Sequence, residues 1–465
     1  MKKSIISMLA IAAMVFGAAS CEKTPKPDGD EGSKGPELTE GFGVYIQADG
    51  SVIVEGDTGF DEDETDEYTG VNRLWSAITT YADELVTPTE GGDPVQCNNV
   101  FYLQEGEFYF VEGKIVIKKN VKIAALNPKG EMPWIRTIQD ATGKTPADML
   151  RFEANVVFDG VYFYGKDDKA TPQQRMLRLD GSDISLTLDN CFADYTRNFF
   201  IRSDGKNNSV HLKNSTFRNM NYNNSSNGRL VDARGNDMDE ITIENCLHYN
   251  CWGHIIRDND AIINKIVIKN NTFYNVGTIL SLTYPGDVTI QDNIFANVGW
   301  RQCARSLVPN ETTGLVEPDC LFDFDDIDAA AHPELAEKVK IVIKNNNVYN
   351  TVELKKLYTD TEMAQEPELF SLGVKELQAK GKVTAEKNIS EVLTFTKPCP
   401  INWDYIKLHF DNPNRPETDY AEMVWEQDED GKSGIKVGQV YDFSYASSAQ
   451  SAKASTTGGW LGARF

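Results

Sequence analysis

The sequence predicts an all-β solenoid, a cylinder of stacked coils, on three observations. A phrase of apolar–x–apolar–x–Asn followed by an aromatic recurs seven times: VVFDGVYFYG (156–165), LTLDNCFADY (186–195), VHLKNSTFRN (210–219), ITIENCLHYN (241–250), IVIKNNTFYN (266–275), VTIQDNIFAN (288–297) and IVIKNNNVYN (341–350). Its anchors, Gly160, Asn190, Asn214, Asn245, Asn270, Asp292 and Asn345, are spaced by 30, 24, 31, 25, 22 and 53 residues. Self-similarity near 25 residues with strand rather than helix periodicity marks a β solenoid. A second phrase keeps step with the first: LRFE (150–153), LRLD (177–180), IRSD (201–204), VDAR (231–234), IRDN (256–259) and LSLT (280–283). Three residues past the anchors stand Phe163, Phe217, His248, Phe273, Phe295 and Val348, a column suited to an aromatic core stack.

The elements follow in chain order. Met1-Lys2-Lys3, an apolar run from Ile5 to Phe16 and the small residues before Cys21 read as a secretory signal over 1–20, too short to span a bilayer. The Pro/Gly/charge-rich stretch 21–41 reads as a flexible tether. Over 42–69, alternation around Asp49-Gly50 predicts a hairpin, followed by an acidic loop without calcium-loop spacing. Leu74, Ile78, Tyr81, Ala82 and Leu85 fall at helical spacing, giving a cap helix that shields the open end of the coils. Coils then occupy 70–350 together with that cap, with an insertion at 299–340. The segment 351–465 is expected to form a C-terminal cap or wrap with a helix near Glu368–Lys380.

Composition narrows the partners. A formal net charge of -24 disfavours nucleic acid. Eight cysteines less Cys21 leave an odd number, which excludes a fully paired framework. Cys191 and Cys246 lie two rungs apart, too far to bridge, and read as small buried apolar residues. Only Cys303 and Cys320 are a candidate pair.

The second phrase carries the charge. Alternation turns Leu177, Leu179, Ile201 and Ile256 inward, and places Arg151, Arg178, Arg202, Asp232, Arg257 and Ser281 in one outward column. An acidic column of Glu153, Asp180 and Asp204 runs beside it, with the charges swapped at Asp232 and Arg234. This swap would set Asp232 beside Arg202 and Arg234 beside Asp204. The anchor asparagines are expected to stack as an amide ladder, since Asn tolerates the left-handed turn. His248 is read as a core residue, His211 as exposed scaffold, and Trp252 with His254 as a packed corner or a sugar platform.

The cap helix, YLQEGEFYF (102–110), KIVIKKNVKIAAL (114–126) and the Asn-anchored coils resemble the pectate-lyase-like right-handed parallel β-helix superfamily over about 70–350. Small residues before Cys21 resemble a bacterial lipobox, though with Ala18 where Leu is usual. With the tether they are similar to lipoproteins of polysaccharide-utilisation systems, as is the ending GGWLGARF (458–465). The resemblance implies a right-handed parallel β-helix with an N-terminal cap helix and a C-terminal cap. It also implies lipidation at Cys21, display on the outer membrane surface, and a polysaccharide as partner. A monomer is expected.

Several chemistries remain open for the charged face. Arg151, Arg178, Arg202 and Arg257 could bind sugar carboxylates as planar forks. Arg178, Arg202, Asp180 and Asp204 are the catalytic candidates: β-elimination needs a base and charge neutralisation, and paired carboxylates could serve glycoside hydrolysis. Glu153, Asp180 and Asp204 could instead hold Ca²⁺. The competing reading is a stabilising salt-bridge ladder in a non-catalytic adhesin or structural surface protein, because like charges directly opposite destabilise a sheet.

Overall fold

The computed structural model describes residues 43–57, 68, 70–169, 171–220, 228–303, 314, 316, 320–325, 327, 329–362, 364–411 and 440–464. The signal, the tether, Cys21 and the acidic loop 58–67 lie outside the described residues. Three parallel sheets make a right-handed β-helix, one of twelve strands and two of nine. A representative coil runs Ser185–Asp189, Phe192–Asp194 and Thr196–Ser203 before Asn208–Lys213 starts the next. We call these the anchor, aromatic and arginine sheets. Register is strict in the anchor sheet, with Val156, Leu186, Val210, Ile241, Ile266, Val288 and Ile341 in one column.

Asparagine makes the corners. Asn190, Asn214, Asn245, Asn270 and Asn345 adopt φ of 52°, 48°, 54°, 55° and 54°, Asp292 60° and Gly160 73°. Asn tolerates this left-handed conformation, so the chain turns sharply between two strands. The closing Asn of the phrase does the same at the next corner, as Asn219, Asn250, Asn275 and Asn297 show with φ of 52–55°.

The continuous amide ladder lies one residue beyond the anchors. Among the anchors, Asn214 Nδ2 donates to Asp189 Oδ1 and Asn245 Nδ2 to Asn214 Oδ1, each at 2.7 Å. The longer ladder is Asn271, Asn293, Asn346 and Asn388, with each Nδ2 donating to the next Oδ1 at 3.0, 2.9 and 3.0 Å. Each Nδ2 also donates to a backbone carbonyl, those of Ile243, Ile268, Ile290 and Ile343. Position matters here: the anchor side chains face out, whereas the next residue turns inward where unpaired polar groups are costly.

The aromatic column forms as expected, with Ala193 in its second rung: Phe163, Ala193, Phe217, His248, Phe273, Phe295 and Val348 pair in order. Phe273 and Phe295 stack at 5.0 Å with an interplanar angle of 8°. Burial alone pushes the His248 imidazole down to about 3, so it is a neutral core residue. Cys191 and Cys246 are buried thiols, each pushed up to about 12 by desolvation first. Cys320 is buried, and the side chain of Cys303 lies outside the described residues.

At the N-terminal end the hairpin pairs Val44–Ile46 with Val52–Val54, and the latter joins the anchor sheet through Val52↔Phe101. The cap helix spans Arg73–Tyr81 and buries Leu74, Trp75, Ala77 and Ile78. Leu85 is not part of it. It begins the short strand Leu85–Val86 and is exposed, because the helix stops at Ala82, whose backbone is extended.

The coils run on past 350, with Glu368–Phe370 in the arginine sheet and Val383–Glu386 in the anchor sheet. The helix expected near Glu368–Lys380 is shorter, Leu372–Ala379. The C-terminal segment then covers the outer face of the aromatic sheet, packing Phe395, Phe443, Tyr445 and Leu461 on Tyr249, Ile294 and Tyr349. Its tail crosses the anchor corners: Gly462 N donates to Asp292 O at 2.9 Å and Arg464 N to Asn245 Oδ1 at 2.6 Å. Beneath this wrap Arg218 and Asp194, both fully buried, pair at 2.7 Å.

Candidate functional site

The arginine sheet sets the expected column in register: Arg151↔Arg178↔Arg202↔Asp232↔Arg257↔Ser281. A second outward column stands three residues upstream, Asp148↔Arg175↔Phe199↔Arg229. Strict alternation misplaces it. Met149 with Leu150, Met176 with Leu177, and Phe200 with Ile201 are consecutive fully buried pairs, so the strand bends at the coil corner and brings Asp148 and Arg175 outward. The consecutive apolar pairs ML, ML and FI were the signal in the sequence.

The two columns mesh into one network. Arg175 Nε lies 2.6 Å from Asp148, and Arg178 3.4 Å from the same carboxylate. Arg178 Nε stands between two further carboxylates, 2.8 Å from Asp180 and 2.6 Å from Asp204. Arg151 Nε reaches Asp180 at 2.5 Å and Arg202 Nε reaches Asp204 at 2.6 Å. These side chains are not freely solvated as expected. Their exposure is 7–21%, because neighbouring rungs pack the stems together. Arg151 and Arg202 make their pairs through Nε.

Other expected placements change. Asp232 is fully buried and in register with Arg202, but its carboxylate pairs with Arg229 at 2.7 Å and lies 4.0 Å from Arg257. Arg234 is not beside Asp204: it is exposed in a left-handed turn with φ 56°, and its backbone N donates to Asp232 Oδ1 at 3.1 Å. The arginine strand ends at Asp232, so Arg234 has left the column. Glu153 pairs with Lys118 at 3.3 Å. Glu153 faces Lys118 while Asp180 and Asp204 share Arg178, so the three carboxylates are spent on cations of the fold rather than converging as calcium ligands. Among the described residues no group of three or more His, Cys, Asp or Glu is arranged to hold a metal ion.

A cleft of about 340 Å³ opens where these strands begin, lined by Gln139, Thr145, Pro146, Thr171, Gln174 and Arg197 among others. Ala147 and Gln174, on its wall, immediately precede Asp148 and Arg175, so the cleft and the charged strip are continuous. The wall is held by the fully buried Asp167. Its Oδ1 accepts from Lys169 N at 2.9 Å and Thr171 N at 2.8 Å, and its Oδ2 from Gln139 Nε2 at 3.2 Å and the Thr145 hydroxyl. Gln173 Nε2 ties in Pro146 O at 2.6 Å. Arg197 Nε, buried in this wall, has no hydrogen-bond partner among the described residues.

The remaining candidates are structural. Trp252 is fully buried against Trp300, Tyr405 and His409, so it is no sugar platform. His211 is half-buried and its Nδ1 lies 3.3 Å from Thr242 Oγ1, which donates to Glu240 at 3.1 Å. An acid does stand close to it, on the next rung. Desolvation nevertheless dominates and holds His211 below its usual range.

No protein-family model matches this chain, and no curated protein matches it. A glycosidase needs two carboxylates facing an open space where a glycosidic oxygen sits; between Asp180 and Asp204 stands Arg178. A lyase needs an uncommitted base; Arg151, Arg178 and Arg202 are each held by carboxylates. Planar guanidinium ends at the rim of a preformed cleft suit recognition of hydroxyls and carboxylates.

Proposed function

We propose that this protein binds an oligosaccharide without cleaving it, seating it in the Gln139–Gln174–Arg197 cleft and along Arg175, Arg178, Arg151 and Arg202. The observation that carries the proposal is the continuity of the cleft with a strip of four partly exposed arginines held in place by Asp148, Asp180 and Asp204. Four arginines stand against Asp148, Asp180 and Asp204, a surplus of one positive charge on a chain of net charge -24, which favours a glycan bearing carboxylates. We read the coils as those of the pectate-lyase-like superfamily, and Cys21 as the lipid anchor displaying the protein at the outer membrane surface. Loss of palmitate labelling in Cys21→Ser would support the anchor, and retained labelling would refute it.

The test is affinity electrophoresis on a panel of uronic-acid and neutral polysaccharides. In parallel, ultraviolet absorbance and reducing ends are followed for products. The reading expects retardation on at least one acidic glycan, reduced by Arg197→Ala, with no product. A second reading, a purely stabilising ladder, draws support from the pairing of every carboxylate in the network. It expects Arg178→Ala/Arg202→Ala to lower stability while leaving retardation intact.

A further inference from the structure

The anchor sheet presents an ordered outer face on the strands Ser185–Asp189, Asn208–Lys213, Met238–Glu244, Ile262–Lys269, Tyr284–Gln291 and Lys340–Lys344. Alternation turns three columns outward. The middle column is neutral and mostly β-branched: Thr187↔His211↔Thr242↔Val267↔Thr289↔Val342. Val267 and Val342 stay partly exposed and belong to no hydrophobic cluster among the described residues. The flanking columns are charged. One runs Ser185↔Ser209↔Glu240↔Lys265↔Asp287↔Lys340, the other Asp189↔Lys213↔Glu244↔Lys269↔Gln291↔Lys344.

The sign of the charge changes at every rung, and the two flanks of one rung never disagree. Successive rungs read negative (Asp189), positive (Lys213), negative (Glu240, Glu244), positive (Lys265, Lys269), negative (Asp287) and positive (Lys340, Lys344). Within the chain this alternation supports cross-rung pairs such as Lys265–Glu240 at 2.8 Å. It also makes the face complementary to a second copy turned end over end. A two-fold axis along the strands, midway between the Thr242 and Val267 rungs, sets Glu240 against the partner's Lys265 and Glu244 against the partner's Lys269. The same axis sets Asp189 against the partner's Lys344, and the remaining charges against the neutral Ser185, Ser209 and Gln291. No like charges meet over these six rungs. A two-fold parallel to the solenoid axis sets every rung against itself, Glu240 on Glu244 and Lys265 on Lys269, which is repulsive. One rung beyond the patch Asp159 would meet Glu386, so the match ends there.

We infer that this chain forms a two-fold homodimer through the outer face of the anchor sheet, with the two solenoids antiparallel. The neutral middle column makes the interface core and the charged columns make its rim. Sheets packed face to face lie about 10 Å apart, within the combined reach of a Lys and a Glu. Six rungs about 4.8 Å apart and five residues of about 3.3 Å give roughly 500 Å² per partner. A total of about 1,000 Å² is at the lower limit of specific interfaces, so the dimer is weak and reversible. The face is on a different sheet from the cleft and the arginine strip, so it stands or falls separately from glycan binding.

The experiment is sedimentation equilibrium of the full chain carrying Cys21→Ser, which removes any lipid-driven association, from about 1 to about 300 μM. The result expected is a monomer–dimer equilibrium whose Kd rises by about tenfold or more between about 50 and about 500 mM sodium chloride. Lys265→Glu/Lys269→Glu makes both central rungs negative and should abolish the dimer. Glu240→Lys/Glu244→Lys makes both positive and should do the same. Mixed one to one, the two variants regain opposite charges across both central rungs and should form a heterodimer. Circular dichroism checks that each variant is folded, and the concentration and salt dependence of the unswapped chain decides without them. A chain that stays monomeric at about 300 μM, a dimer indifferent to salt, or species larger than a dimer overturns the inference. So does a folded charge variant that dimerises as before, or a folded mixture that stays monomeric.

Discussion

Replacing Asn293 by Ala should be among the most damaging single changes to the coil. Asn293 Oδ1 accepts from Asn271 N at 2.9 Å and Asn271 Nδ2 at 3.0 Å, and its Nδ2 donates to Ile268 O at 2.8 Å and Asn346 Oδ1 at 2.9 Å. Alanine removes all four bonds at a position with no exposure. Asn346 Oδ1 keeps the Asn293 backbone N and Asn271 Nδ2 keeps Ile243 O, so the group left without a partner is the buried Asn271 N–H. An orphaned buried donor costs about 1–3 kcal/mol, and the other lost bonds about 0.5–1 kcal/mol each, for a total of about 3–5 kcal/mol. The neighbouring anchor is the control. Asn270 is exposed with φ 55°, so Asn270→Ala should cost only about 1–2 kcal/mol from strain, and Asn270→Gly close to nothing. Urea denaturation followed by circular dichroism gives the comparison, read as a change in midpoint at constant slope. An Asn293→Ala cost below about 1 kcal/mol, or one equal to that of Asn270→Ala, would refute the buried ladder.

Two further outcomes follow. Arg218→Met should cost about 3–5 kcal/mol, since it strands Asp194 at zero exposure, leaving Asn219 Nδ2 and Tyr162 OH as its partners among the described residues; a loss under about 1 kcal/mol on chemical denaturation would contradict the buried pair. His248 is neutral in the fold and protonates at about 3, below its unfolded value of about 6.5, so its contribution is complete above about pH 6.5 and is lost as pH falls toward 3. His248→Phe, which matches Phe217 and Phe273 in its column, should flatten the stability profile in that window by about 1.4 kcal/mol per pH unit. An unchanged acid slope would show that His248 already carries its proton in the folded state.

The register of the arginine sheet was legible because Leu and Arg alternate in each phrase, and a one-residue slip would bury the charge. Asp148 and Arg175 escaped that logic at the bend, where two consecutive side chains turn inward. The long amide ladder lies one residue beyond the anchors, where Cys191, Ser215 and Cys246 occupy its position in the earlier rungs and hide the repeat. The cleft had no repeating signal at all: its walls are loops of unequal length, organised by Asp167. The Asp194–Arg218 pair is covered by a segment about two hundred residues downstream, a contact that local periodicity does not encode.

Glycan retardation of wild type against Arg197→Ala and Arg178→Ala/Arg202→Ala, with folding checked by circular dichroism, tests the proposed binding surface most directly. The account predicts folded variants whose retardation on an acidic polysaccharide falls by about tenfold or more, with no product released by any of the proteins. Equal retardation by all three, or release of unsaturated or reducing-end products by the wild type, would contradict it.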